Sequence, residues 1–249
     1  MGLLLGALAA VLVGTVLQRV SGTGVGLVVA PVLSLLMGPG AGVLATNAAT
    51  TCSGFLITLS VRRLVEWRHA AALVGAAVPG IVAGAVVVRH VPSAWLQVAV
   101  GAVVLAGLGI TRFSPATPSA SRRATVVPAG LIGGFFNATA GVAAPAMVIY
   151  SRVTRWDQVR FAATMQPVFM AMGALSAGSK LAAGVHFSLP VPAPVALAAL
   201  VLTVLAGIAV GTWLSRHMSK ATAQGLAMTL ATVGGVVVLA RGALTLLVG

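Results

Sequence analysis

Apolar residues run along this chain in ten stretches, at about residues 3–20, 23–37, 42–61, 70–88, 95–111, 125–136, 140–151, 161–179, 193–214 and 221–247, and most of its charged residues lie in the gaps between them. None alternates apolar with polar positions over about 10 residues, as a strand of a membrane barrel would. The stretches therefore read as helices arranged by a bilayer rather than by an aqueous core. Most are long enough to cross or nearly cross a hydrocarbon layer about 30 Å thick. The sixth and seventh are not: about 12 residues each reach roughly 18 Å at 1.5 Å per residue. They are expected to form a re-entrant hairpin or a pair of half-helices meeting at FNATAG, Phe136 to Gly141. Irregular backbone at that depth survives only against protein or a water-filled cavity.

Composition sharpens the membrane reading. With 59% hydrophobic and 7% charged residues, the chain cannot cover itself with a soluble surface. The first apolar stretch has no Lys or Arg ahead of it and no small-residue cleavage site after it, so it is expected to be part of the mature fold. A single cysteine, Cys52, excludes an intramolecular disulfide and a dithiol redox centre within the chain. The net charge of +13 is spread between apolar stretches instead of forming one dense patch, which argues for topology and against nucleic acid. With the N-terminus outside, Arg19, Arg62, Arg63, Arg68, Arg112, Arg122, Arg123, Arg152, Arg155, Arg160, Arg216 and Lys220 fall on the cytoplasmic side. Only Arg89, Lys180 and Arg241 fall outside. That bias predicts a multi-pass inner-membrane protein with both termini external.

A polar segment rich in Pro, Ser and Arg, TRFSPATPSASRRAT (Thr111 to Thr125), divides the chain into residues 1–111, a cytoplasmic linker at 112–124 and residues 125–249. The halves resemble each other. A shift of 114 places Pro31 on Pro145 and Ala49-Thr50 on Ala163-Thr164. A shift of 127 places GIVAG and the following Arg89-His90 on GIAVG and Arg216-His217. Each half has an odd number of passes, so the repeat is expected to be inverted. The fold class is thus all-α integral membrane, about 8 to 10 hydrophobic segments as two inverted repeats with broken or re-entrant helices.

The candidate chemistry lies at the two glycine-rich interruptions, VSGTGVG (Val20 to Gly26) and FNATAG. A helix starting after each break presents unpaired N–H groups carrying partial positive charge. Glycines at Gly22, Gly24, Gly26 and Gly141 let an anion approach them. Ser21, Thr23, Asn137 and Thr139 add donors. The stretch ATNAATTCSG contributes Thr46, Asn47, Thr50 and Ser53 on one helical face, and Thr164 and Gln166 are candidates from the second half. Arg19 either ends the first helix at the cytoplasmic surface or, in a re-entrant hairpin, stands near the midplane as a direct anion ligand. Lys180 is expected to be an interfacial anchor, with attraction of substrate as the other reading. The only side-chain carboxylates, Glu66 and Asp157, lie in loops. No metal cluster, catalytic triad or cysteine pair is legible, so an enzyme is not expected, nor a cofactor.

These motifs resemble those of the TauE/SafE sulfite exporter family, also called the toluene sulfonate uptake permeases. The similarity rests on GTGVG followed by Pro31, on GVAAP (Gly141 to Pro145), and on VEWRHAAALVGAAVPGIVAGAVV (Val65 to Val87). Val25 and Ala144 stand where the family pattern carries glycine. The resemblance implies transport of sulfite, an organosulfonate or a related sulfur-containing anion. The expectation is alternating access around a midplane site between the halves. An anion channel and a non-transporting assembly subunit are the other readings. A small anion and the lipid bilayer are the expected partners, with a homodimer left open.

Overall fold

Each predicted stretch contains or adjoins a helix among the described residues. The computed structural model describes residues 2–22, 25–113, 120–182, 184 and 191–248. Among them are α1 (Gly2–Ser21), α2 (Gly26–Met37), α3 (Pro39–Val61), α4 (Trp67–His90), α5 (Ser93–Phe113), α6 (Arg122–Ala140), α7 (Ala144–Val153), α8 (Gln158–Ala182), α9 (Ala193–Leu214) and α10 (Lys220–Val248). A 3-10 turn at Arg62–Leu64 follows α3, and the described residues contain no strand. Among the described residues, five helical stretches are long and apolar enough to cross a membrane: Gly2–Ser21, Pro39–Leu64, Trp67–His90, Ala193–Leu214 and Thr222–Leu247. Of the proposed linker at 112–124, residues 114–119 lie outside the described set, 112–113 end α5 and 122–124 begin α6.

Two helical hairpins organise the interior. In the first, Gly6 of α1 faces Leu36 of α2 and Gly14 faces Val29, so the two helices run antiparallel around the break at residues 22–25. In the second, Gly133 of α6 faces Met147 of α7, and the Tyr150 hydroxyl near the end of α7 donates to the carbonyl of Arg122 at the start of α6. Each first helix ends on a glycine in the left-handed region, Gly22 at φ 74° and Gly141 at φ 73°. Each glycine N–H returns to a carbonyl four residues back, that of Gln18 (2.8 Å) and that of Asn137 (3.0 Å). This is the geometry that stops a helix sharply, and glycine adopts it without a Cβ penalty.

The second hairpin differs from its sequence expectation. Its outgoing helix is 19 residues long, roughly 28 Å, and only the return helix α7, at 10 residues, is short. FNATA stays helical because its polar groups are satisfied within the fold: Thr139 donates back to the Phe135 carbonyl (2.8 Å) and Asn137 Nδ2 donates to Ser176 Oγ (2.9 Å). The break therefore sits at Gly141–Ala143. Matching the capping glycines gives a spacing of 119, not the 114 that aligns the prolines. Pro145 starts α7 whereas Pro31 lies inside α2.

The hairpins enter from opposite ends. Glu66 Oε2 pairs with Arg122 Nη1 (3.0 Å), and Glu66 Oε1 accepts from Trp156 Nε1 (3.0 Å). Those bonds gather the α3–α4 junction, the start of α6 and the α7–α8 turn at one end, here called the basic end. The second hairpin dips inward from there. Gly207 and Gly211 of α9 face Thr15 and Arg19 of α1, so these helices run parallel. The first hairpin therefore enters from the opposite end, where α8 finishes and α9 begins.

Packing also respects an exchange of the halves. The pair α4 with α6 corresponds to α9 with α1, while α3 packs on α8 and α5 on α10. Gly80 and Gly84 of GIVAG lie against Leu131 and Ala138 of α6, as Gly207 and Gly211 of GIAVG lie against α1. The repeated motif is thus the close-approach surface by which each half grips the first hairpin helix of the other. Helices α2, α3 and α8 hold most of the interior, and α9 turns apolar residues such as Leu197 and Leu202 outward, where lipid covers them.

Candidate functional site

The hairpin tips touch. Gly26, first residue of α2, lies directly against the carbonyl of Gly141, with no room between them for a Cβ. Ala30 and the Thr46 methyl close around Gly141 from the other side. Beside this contact is a cavity of about 10 Å³ bounded by Gly26, Thr50, Asn137, Gly141, Val142, Ala143, Ala144 and Phe169. Its polar lining is the Thr50 hydroxyl, the Asn137 amide and the backbone at the start of α7. The first bond within α7 runs from Met147 N–H to the Ala143 carbonyl (3.3 Å). The N–H groups ahead of it project from the helix start, where the dipole favours negative charge.

A larger cleft of about 360 Å³ reaches this region from the basic end. Gln18, Arg19, Ser21 and Gly22 of the first hairpin line it, with Ser151 and Arg152 of α7, Gln158 and Gln166 of α8, and Gln224 of α10. Ala144 and Phe169 border both cleft and cavity. Phe169 is buried and is shared by the two linings. Arg19 is half-buried and its Nε donates to Thr212 Oγ1 (3.0 Å), which leaves guanidinium donors toward the cleft. In the hairpin it stands three residues before the break, on the cleft wall rather than at a surface.

Several polar groups here have no hydrogen-bond partner. Thr50 Oγ1 and both amide atoms of Asn47 are buried and unpaired, and Gln18 Oε1 is as well. Gln18 Nε2 donates to Gln166 Oε1 (2.8 Å), a buried bond between the halves, and Gln166 Nε2 donates to the Ala162 carbonyl (3.0 Å). Buried polar atoms left unpaired cost about 1–3 kcal/mol each, so a cluster of them calls for a bound partner.

The residues expected at the site divide into groups. Gly26, Thr50, Asn137 and Gly141 come together at the cavity, and Arg19, Ser21, Gly22 and Gln166 line the cleft. Asn47 lies one turn before Thr50 on the same buried face of α3. Two others are occupied elsewhere: Thr139 bonds its own helix, and Thr164 Oγ1 accepts the Glu66 N–H (3.0 Å) beneath the basic-end cluster. Thr23 and Gly24 lie outside the described residues. Sequence reasoning missed Gln18, Ser151, Arg152, Gln158 and Gln224, which come from four helices. Only the match of Gln18 to Asn137, each four residues before its capping glycine, could have pointed to one of them. A groove of about 550 Å³ between α5, α6 and α7 is lined almost wholly by apolar side chains and offers nothing to hold an anion.

Comparison with known proteins identifies a family. The profile of the family described as Sulfite exporter TauE/SafE matches residues 6–238. A protein of Cupriavidus necator named "Probable sulfite/organosulfonate exporter TauE" is 32% identical over 152 residues, which cover 58% of this chain and 59% of that protein. The alignment thus spans less than two thirds of the relative's length. No solved structure matches the chain.

Proposed function

The chain belongs to the Sulfite exporter TauE/SafE family of membrane transporters, not to an enzyme family, and from that premise we propose that it carries a small sulfur oxoanion or sulfonate by alternating access around the hairpin tips. The observation that carries this reading is the unpaired Thr50 hydroxyl and Asn47 amide, buried beside a contact between two oppositely entering helix breaks. An unpaired hydroxyl facing the start of α7 suits an anion, which takes hydrogen bonds and benefits from the dipole.

Arg19 and Arg152 attract the anion into the cleft from the basic end. Gln18 and Gln166 hold it above Phe169. Movement of one hairpin against its neighbours then passes it to Thr50 and Asn137. The cleft is open and the cavity that shares Phe169 with it is nearly closed, as expected of one end state of a carrier. The two side-chain carboxylates are far from the tips: Glu66 is bound at the basic end and Asp157 is exposed before α8. The reading therefore places no buried acid in the transport step. We take the basic end as cytoplasmic, in the inner membrane, on the charge bias. Both halves of one chain build the site, so a homodimer is not required.

Purified protein in liposomes loaded with sulfite, ethanesulfonate or sulfate tests the proposal. Saturable flux of at least one of the sulfur anions, without single-channel currents, is expected. Unitary currents would replace the carrier with a channel, and absence of flux with correctly folded protein would refute transport of these anions.

A further inference from the structure

We propose that Lys180 is the anion-binding cation on the side of the hairpin tips away from the cleft, receiving the transported anion after Asn137. The inference rests on the transport reading above and adds a residue and a direction to it.

Lys180 lies in the last turn of α8, toward the end opposite the basic cluster. Its sequence position suggests an anchor at the membrane surface, yet it is 0% exposed, and its Nζ has no hydrogen-bond partner. An ammonium withdrawn from water without a counter-charge is costly, so a lysine in that setting either sheds its proton or pairs with an anion that enters. Neither side-chain carboxylate of the chain can pair with it. Glu66 is held by Arg122 and Trp156 at the basic end. Asp157, which accepts the Arg160 N–H, precedes the first turn of α8 and lies about 34 Å from Lys180 at 1.5 Å per residue along the helix. A side-chain counter-charge within the fold is therefore lacking, and a solute anion can supply one.

Polar side chains lead from the tips toward Lys180. Asn137 lines the cavity at the tips and donates from Nδ2 to Ser176 Oγ (2.9 Å). Lys180 follows Ser176 by four residues, so it stands on the same face of α8, one turn farther from the tips. A turn rises about 5.4 Å, within the reach of a lysine side chain. The order from the basic end is then Arg19 and Arg152, the Thr50 and Asn137 pair, Ser176, and Lys180. Cations flank the neutral donors at both ends. An anion leaving the tips thus meets a fixed charge before it meets water. A compact point charge with three donors accepts tetrahedral or pyramidal oxoanions without demanding one orientation.

The test compares wild type, Lys180→Met, Lys180→Gln and Lys180→Arg in liposomes and detergent, with sulfite and ethanesulfonate as probes and chloride as control. Without a probe anion, Lys180→Met should melt at or above the wild-type temperature, because a buried polar group without a partner is replaced by an apolar chain. Its sulfite flux should fall at least tenfold, and the rise in melting temperature on adding sulfite should disappear. Lys180→Gln should lose flux similarly, and Lys180→Arg should keep a measurable part of it. Flux and sulfite stabilisation equal to wild type in both Lys180→Met and Lys180→Gln would overturn the inference while leaving the transport reading intact. A wild type with neither flux nor stabilisation overturns that reading and this inference with it.

Discussion

Gly26 and Gly141 both resist a side chain, for different reasons. At Gly141 the backbone is left-handed, which costs an L-residue about 1–2 kcal/mol, and an added Cβ would press on Ala30 and Thr46 at 3.3 Å. At Gly26 the backbone is ordinary and the obstacle is the Gly141 carbonyl, which cannot rotate away. Alanine at either position is expected to destabilise by about 1–3 kcal/mol in thermal melts, and Gly26→Ala should also depress flux by forcing the tips apart. Thr50→Val is the complementary change. It removes a buried hydroxyl that has no partner, so stability should be unchanged or slightly higher. Sulfite affinity should weaken by about 10- to 150-fold, because a hydrogen bond to a charged ligand contributes about 1.5–3 kcal/mol. Measured together, melting and binding separate a ligand contact from a packing role.

Among the helices, the hairpins are held by two kinds of surface. One is polar: Glu66 ties α4, α6 and the α7–α8 turn together, His69 and the Tyr150 hydroxyl are hydrogen-bonded beneath it, and Arg122 lies over the Trp156 ring at 4.7 Å. Arg122 and Glu66 are 34% and 25% exposed, which screens their attraction. Glu66→Gln is therefore expected to cost only about 0.5–1 kcal/mol, and a double-mutant cycle with Arg122→Ala should return a coupling of that size. The other surface is the pair of glycine motifs on α4 and α9. Gly80→Val and Gly207→Val should both destabilise. Gly80→Val should do so more, because its Cβ meets the Leu131 backbone carbonyl, whereas at Gly207 the nearest atoms belong to the Thr15 side chain at 2.8 and 3.0 Å. Equal losses of melting temperature would contradict that ranking.

Across the molecule, exchange of the halves accounts for the principal helix pairings. A carrier built this way can present its centre to either end by moving one hairpin pair against the rest. The basic end carries Arg62, Arg63, Arg122, Arg152 and Arg155, and the opposite end Arg89 and Arg241, with Arg241 Nη1 donating to the Leu35 carbonyl at the end of α2 (2.9 Å). Orientation follows from that asymmetry and can be measured in cells. With Cys52 replaced by alanine, Ser93→Cys should react with an impermeant thiol reagent applied from outside, and Ser219→Cys should react only after permeabilisation. Both positions are exposed. The reverse pattern would invert the direction assigned to the cleft.

The membrane class, the ten helices and their approximate bounds were legible in the residues, because the bilayer demands apolar runs of set length and charges mark their ends. The two breaks were legible too, since glycine interrupts helices whatever surrounds it. Helix α9 matched its expected bounds, Ala193–Leu214, and Asn47, Thr50 and Asn137 were read as interior polar groups. The exact stop of α6 was not, because Asn137 and Thr139 are good breakers in isolation and stay helical only with Ser176 and the Phe135 carbonyl as partners. The cleft was not legible either. Gln18, Ser151, Arg152, Gln158 and Gln224 are separated by up to about two hundred positions and gain meaning only when hairpins from opposite ends bring them to one wall. Lys180 shows the limit most clearly. A lone lysine at the end of an apolar run marks a surface by every local rule, and only the packing around α8 buries it.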